Sequence, residues 1–272
     1  MVVQHNLTAA NSNRMLKITT DSQAKSTEKL SSGYRVNRAA DDAAGLAISE
    51  KMRRQIKGLT QASSNAQDGI SCVQTAEGAL AEVHDMLQRM NTLAIQASND
   101  TMTTADRSYL NQEVQALKSE INRVASTTTF NEQNLLDGSF QDRNLQVGAE
   151  AGQFISITIA GMSANSIGIG DVSVSGTDNS NAQDAITSIK TALASVSSQR
   201  ADLGAIQNRL EHTIKNLDNV VENTTAAESQ IRDTDMAKEM VAFSNNNILA
   251  QAGTSMLAQA NQANQNVLSL LG

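Results

Sequence analysis

Apolar residues recur along most of this chain at alternating three- and four-residue steps, the spacing that keeps one helix face against a partner. Residues 1–32 carry a modest version at Val3, Leu7, Ala10, Ile18 and Leu30, and Gly33 after Ser31-Ser32 supplies a C-terminal stop. A connector, YRVNRAADDAAGLAI, crowds Arg35, Arg38, Asp41 and Asp42 together. From Ala44 to Ser98 the pattern predicts one very long helix. Met52, Ile56, Leu59, Ala66, Ile70 and Val73 keep the spacing; Ala76, Leu80, Val83, Leu87, Met90 and Ala94 continue it with the phase slipped by one. Such length argues for a coiled-coil-like bundle. Asn99-Asp100 break the helix, and Thr103-x-x-Asp106 resembles a capping box that opens a shorter one, with Leu110, Val114, Leu117, Ile121 and Val124 on one face.

Between Thr127 and Asp178 the period moves from helical towards two. Leu145-Val147 and Ile155-Ile157-Ile159 alternate apolar with polar residues, as half-buried strands do. Gly168 to Ser180 (GIGDVSVSGTDNS) is loop-like and is expected to form a surface tip. Ser180-x-x-Gln183 reads as the cap of a second long helix, with its seam at Ile186, Ile189, Leu193, Val196, Leu203, Ile206, Leu210, Ile214, Leu217 and Val221. Through RDTD (232–235) the chain enters a last helix. The predicted fold is mainly α: a long antiparallel coiled-coil-like helical rod, a small β-hairpin region in mid-chain, and termini side by side.

The last stretch, Met240 to Gly272, contains no Lys, Arg, Asp, Glu or His, although 18% of the chain is charged. Leu249, Ala252, Met256, Ala260, Ala263, Val267 and Leu270 form a heptad-like seam; the other faces carry Asn, Gln, Ser and Ala. Ten Asn and Gln residues between Asn245 and Asn266 exclude an apolar membrane span of about 20 residues. A helix with no charge on any face is poorly suited to standing alone in water, so it belongs against other protein, including other copies of itself.

Composition agrees. Aromatics are 2% of 272 residues, with no Trp and no Pro, which suits long helices with small residues at their seams better than a compact enzyme. The net charge of −7 is uneven: residues 1–60 hold ten Lys and Arg against five Asp and Glu, the rest eleven against twenty-three. No aromatic interleaving accompanies the basic end, so internal pairing is preferred to nucleic acid. Single Cys72 excludes an internal disulfide or Cys-cluster metal site and reads as a small buried hydrophobe. The N-terminal segment lacks the apolar core of a cleavable signal peptide.

Catalytic chemistry is not legible. His5, His84 and His212 lie far apart, no GxxxxGK loop is present, and GIG at 168–170 lacks the third glycine of a dinucleotide fingerprint. Arg35, Arg38, Asp41 and Asp42 are expected to pair as salt bridges rather than form a carboxylate site. No cofactor, metal or enzyme activity is expected.

Three stretches carry a family resemblance: EKLSSGYRVNRAADDAAGLAISEKM (28–52), IKGLTQASSNAQDGISCVQTAEGALAEVHDMLQRM (56–90) and ILAQAGTSMLAQANQANQNVLSLLG (248–272). The chain resembles bacterial flagellin over roughly residues 1–160 and 180–272, in a minimal form without a large outer insertion. The resemblance implies an inner coiled-coil domain (1–43 and 229–272) and an outer core domain (44–228) with helices 44–98, 104–128 and 182–228 and a β-hairpin region 129–180. It implies a structural subunit of the extracellular flagellar filament, exported by the flagellar type III apparatus. Family members' terminal helices are typically disordered in the monomer and order on assembly, line the filament channel, and leave supercoil switching to the hairpin near 140–160. Leu7, Ile18, Leu249, Met256, Val267, Leu270 and Leu271 are the assembly candidates.

The implied partners are other subunits, a chaperone at the C-terminal segment, and filament cap and junction proteins, with no nucleic acid and no membrane. Arg89, Leu93 and Glu113 match the positions through which family members engage Toll-like receptor 5, although Asn91 and Thr92 replace the usual Arg-Glu pair. The end, Val267, Leu268, Leu270 and Leu271, resembles the tip sensed by cytosolic inflammasome receptors of the NAIP type. A hook–filament junction protein is the alternative within the family, and a coiled-coil adaptor or membrane-interface binder the alternative outside it.

Overall fold

The computed structural model describes residues 6–271, with side chains through Gln262. Five α-helices are described: α1 (Leu7–Ser32), α2 (Ala43–Ala97), α3 (Thr104–Thr127), α4 (Ser180–Arg232) and α5 (Met236–Leu271). Between α3 and α4 lie two antiparallel hairpins, β1 (Thr129–Phe130) with β2 (Gln133–Asn134), and β3 (Arg143–Gln146) with β4 (Phe154–Ile157). The fold is mainly α with a small strand region in mid-chain, as the periodicity predicts. It divides into two compact units, Met1–Ile56 with Glu222–Gly272, and Lys57–Val221.

In the unit 57–221, α2 buries Leu59, Ala62, Ala66, then Val73, Ala76, Leu80 and onward to Ala97 in unbroken three- and four-residue steps. The phase slip expected near Ile70 does not occur. Gly69 occupies the seam position there, and a Cβ on it would meet Leu145 Cδ2 at 2.3 Å. The α2 ridge is thus completed by a leucine of β3. On α4 the buried positions Ala182, Ala185, Ile189, Ala192, Val196, Gln199 and Leu203 keep the same rhythm. The two helices run antiparallel, with Arg200 Nη2 2.9 Å from Glu77 Oε1 and Ser63 Oγ 3.3 Å from Asp218 Oδ1.

Alanine at so many seam positions leaves room that the mid-chain segment fills. Leu135, Leu136, Ile159 and Ile169 are fully buried and join the core of α2, α3 and α4. The predicted surface tip at 168–180 is corrected in its first half, where Ile169, Val172 and Val174 are buried in the core, while residues 175–179 form a partly to fully exposed loop. Their backbone is held by a polar stripe on α3 at positions 111, 115, 118 and 122. Asn111 Oδ1 accepts from Val174 N–H (3.1 Å) and Ser173 Oγ (3.1 Å). Gln115 Nε2 donates to Val172 O at 3.0 Å and Lys118 Nζ to Gly170 O at 2.8 Å; Asn122 Oδ1 accepts from Ala164 N–H at 2.9 Å. A strap without a regular sheet partner needs such acceptors and donors, because buried backbone groups left unpaired are costly. Gln199 does the same from the α4 seam, accepting from Ala160 N–H at 3.2 Å and donating to Thr158 O at 3.3 Å.

Local signals behave unevenly. The Thr103–Asp106 capping box forms in both directions. Ser180 is not a cap: Gln183 N–H bonds the Asn179 carbonyl, and the Ser180 hydroxyl donates to Asp178 Oδ1 at 2.8 Å. The β1–β2 hairpin, absent from the sequence reading, turns at Asn131 and Glu132, both at positive φ (48° and 63°). Such a two-residue turn requires that backbone at both positions, and glutamate is not the residue that announces it.

In the other unit, Gly33 ends α1 in left-handed backbone (φ 76°) and donates to Lys29 O at 2.8 Å. Arg35, Arg38, Asp41 and Asp42 do not pair with one another as expected. Arg38 pairs with Glu28 at 2.9 Å, Asp41 accepts from the backbone of Asn37 and Arg38, and Asp42 Oδ1 caps α2 through Gly45 N–H at 2.8 Å. Arg35 reaches the Ile231 carbonyl, while Arg232 stacks 4.6 Å over Tyr34 and pairs with Glu50 at 2.9 Å.

Asn111→Ala leaves the Val174 N–H without its acceptor, so amide exchange over 164–174 is expected to speed up by the equivalent of about 1–3 kcal/mol while the α2 core stays protected. Acid acts on the caps. Hydrogen bonds from the Thr103 side chain and backbone hold the Asp106 carboxyl below its ordinary 3.8. That stabilisation is complete above about pH 4 and is lost as pH falls through the lowered value. Helicity of α3 followed by exchange should therefore fall with acid, and Thr103→Ala should flatten that dependence.

Candidate functional site

The first helix and the last pack side by side in antiparallel fashion. Asn6 Nδ2 donates to Ala260 O at 3.1 Å, and Lys29 Nζ lies 3.7 Å from Glu239 Oε2. Between these ends a Cβ on Gly253 would sit 3.2 Å from Leu16 Cδ1. On α1 the less exposed positions are Ala9, Ser12, Leu16, Thr19, Gln23, Ser26 and Leu30; on α5 they are Phe243, Asn246, Ala250, Gly253, Leu257 and Ala260. Both sets step by three and four. Small and short polar residues dominate them, which permits close approach of the two backbones.

This seam differs from the one the bulky residues suggest. Leu7 is 73% exposed, and Ile18, Leu249 and Met256 are all more than half exposed. Met236, Met240, Val241 and Ile248 are also exposed. The assembly candidates with described side chains thus point away from the α1–α5 contact, which runs along Leu16, Leu30, Phe243, Leu257 and the small residues between them. Val3, Val267, Leu268, Leu270 and Leu271 fall outside the described side chains. Beside the seam, a groove of about 570 Å³ is lined by Met15, Leu16, Leu249, Ala252, Gly253 and Met256. From Met240 onward nothing on α5 carries charge, so this apolar surface has no ionic solvation to offset it.

The second candidate surface lies on α2 and α3. Arg89 and Glu113, 24 positions apart in the chain, meet in an ion pair with Nη2–Oε1 2.7 Å and Nε–Oε1 2.8 Å. Both side chains are about half exposed. Such a pair adds little to stability, on the order of 0–1 kcal/mol, but fixes the direction of both charged groups. Leu93, assigned to the same surface from sequence, is 1% exposed and belongs to the core. Its assignment as a contact residue is corrected: one helical turn beyond Arg89, it packs inward and holds α2 in place.

Among the described residues no group of three or more His, Cys, Asp and Glu is placed to hold a metal ion, and no helix is long and apolar enough to cross a membrane. Burial pushes the Cys72 thiol above its ordinary value, which keeps it protonated and inert.

Comparison with known proteins gives these surfaces their family. The model of the bacterial flagellin N-terminal helical region matches residues 3–141, and that of the C-terminal helical region matches residues 186–271. A flagellin of Halalkalibacterium halodurans is 56% identical over 271 residues, covering 100% of both chains. The flagellar filament 31.3 kDa core protein of Treponema maltophilum is 49% identical, again over 100% of both. The crystal structure of Bacillus cereus flagellin superposes with a TM-score of 0.50 at 30% identity, covering 57% of this chain and 88% of that one. With both helical regions matched and full-length identity above half, the chain belongs to the bacterial flagellin family.

Proposed function

We propose that this chain is the structural subunit of a bacterial flagellar filament, exported from the cell and working by self-assembly instead of catalysis. One observation carries the reading: α1 and α5 pair along one face and leave Leu7 and Ile18 of α1, and Leu249 and Met256 on the charge-free stretch of α5 beyond Glu239, exposed. Outward bulky side chains on a paired helix gain nothing until neighbouring copies cover them. Burying one fully is worth about 1.5–3 kcal/mol, so a few per subunit suffice to drive polymerisation. The other subunits are accordingly the principal partners, with the export chaperone acting at the C-terminal segment and cap and junction proteins at the filament ends. The filament name of the Treponema maltophilum relative supports the same assignment.

A finer reading concerns Toll-like receptor 5. The ion-paired Arg89 and Glu113 offer a directed pair of opposite charges on the outer helices, with Leu93 supporting them from below. In an assembled filament the same face would be shared with neighbouring subunits, so the free chain is the form a receptor would engage.

Both readings are testable on purified chain. Ile18→Gln combined with Leu249→Gln keeps helix-forming residues at exposed sites, so the monomer's circular dichroism should be unchanged. In seeded polymerisation the critical concentration is expected to rise about tenfold or more. Failure of the unsubstituted chain to form filaments would overturn the subunit reading, while normal assembly of the variant would overturn the role of these faces. Arg89→Ala should lower receptor-reporter signalling by the free chain about tenfold; undiminished signalling would remove the receptor reading.

A further inference from the structure

The described methionines range from buried to exposed, with Met52, Met86 and Met102 half-buried between the extremes. Met90 and Met162 are buried, at 0% and 3% exposure, and fill the core of the unit 57–221. Met15 on α1 and Met236, Met240 and Met256 on α5 are between 48% and 58% exposed. Met15 and Met256 line one and the same groove beside the α1–α5 seam. No cation or carboxylate lies on α5 beyond Glu239, so no charged side chain shields Met240 or Met256 from further along their own helix. A thioether suits an apolar face that must adapt to neighbours, because it is unbranched and polarisable. The same sulfur is the one apolar group on that face that a mild oxidant can alter.

We propose that Met15, Met236, Met240 and Met256 are oxidation sites of the unassembled subunit, and that their conversion to sulfoxides by a peroxide prevents polymerisation. In the reaction the thioether sulfur displaces water from hydrogen peroxide. An S–O bond forms, the O–O bond breaks, the sulfur loses two electrons, and the released hydroxide takes up the peroxide proton to leave as water. The product is a polar, chiral sulfoxide in place of an apolar side chain, and it is reversible by methionine sulfoxide reductases. On a surface whose value lies in being apolar, a sulfoxide must either be buried unsatisfied or keep the neighbour out. Copies already assembled would cover these sulfurs, so the sensitivity belongs to the free chain and vanishes on incorporation. The second half of the proposal rests on the filament reading above; the first half rests on exposure alone.

The test treats the full chain with dilute hydrogen peroxide before and after seeded assembly, maps each methionine by peptide mass spectrometry, and measures the critical concentration. Oxidation of the free chain is expected at least fivefold faster at the four sites than at Met90 and Met162, and slowed at the four sites in filaments. The treated chain should polymerise only at about tenfold higher concentration, and a sulfoxide reductase should restore it. A chain carrying Met15→Leu, Met236→Leu, Met240→Leu and Met256→Leu is compared with its own untreated sample, and peroxide should change its behaviour less than twofold. Equal oxidation of exposed and buried methionines, normal assembly of the oxidised chain, or a loss that reductase does not reverse would each overturn the proposal. If untreated chain forms no filaments, the filament reading fails and the assembly half with it, while the map still decides whether these four are the reactive sites.

Discussion

Where the bulky apolar side chains point governs the organisation of this molecule. In the unit 57–221 they point inward: Leu80, Leu87, Ile121, Ile189 and Leu203 are fully buried in a core shared by three helices and the mid-chain segment. In the unit formed by the chain's two ends many point outward, among them Leu7, Ile18, Leu249 and Met256, and the internal contact is made by Leu16, Leu30, Phe243 and Leu257 with small residues between them. The hydrophobic effect is nearly proportional to area removed from water, so the first arrangement stabilises a single chain and the second is stabilised only when chains meet. One polypeptide thus carries a self-sufficient core and a surface that is incomplete by itself.

Small seam residues have opposite consequences in the two units. In the core, alanines at positions 62, 66, 76 and 192 would leave voids between α2 and α4, and voids cost stability. The mid-chain segment closes them with Ala149 in the cluster of Ala62, Ile155 in that of Ala66, and Leu135, Leu136, Ile159 and Ile169 in the one that holds Ala76 and Ala192. That insertion buries irregular backbone, which explains the polar stripe on α3 and the amide of Gln199 within an otherwise apolar ridge. Between α1 and α5 no third element intervenes. Gly253 leaves room for the Leu16 side chain of the facing helix.

The charges follow the same division. Charged contacts gather at the helix junctions, where Arg232 meets Tyr34 and Glu50, and between α2 and α3, where Arg89 meets Glu113. Of these pairs Lys29 with Glu239 sets a cation of the basic first sixty residues against a later carboxylate, while Arg38 pairs with Glu28 inside that stretch. None is deeply buried on both sides, so each fixes geometry more than it adds stability.

The sequence by itself determined the helices, their approximate limits and the family. Three- and four-residue spacing, the Gly33 stop and the Thr103–Asp106 cap depend on local geometry, and uninterrupted motifs at both ends survive without knowledge of contacts. Only the tertiary structure decided which face of each helix is covered. Periodicity reports that a stripe exists, but bulk is a poor guide to what it faces when small residues permit a closer pairing, as Leu7, Ile18 and Leu249 demonstrate. It also decided that Gly69 and not Ile70 keeps the α2 register, that Ile169, Val172 and Val174 are core and not tip, and that Leu93 is buried while Arg89 and Glu113 pair at the surface. Each depends on partners more than twenty residues away in the chain, and a burial fixed by distant residues leaves no imprint on the local pattern.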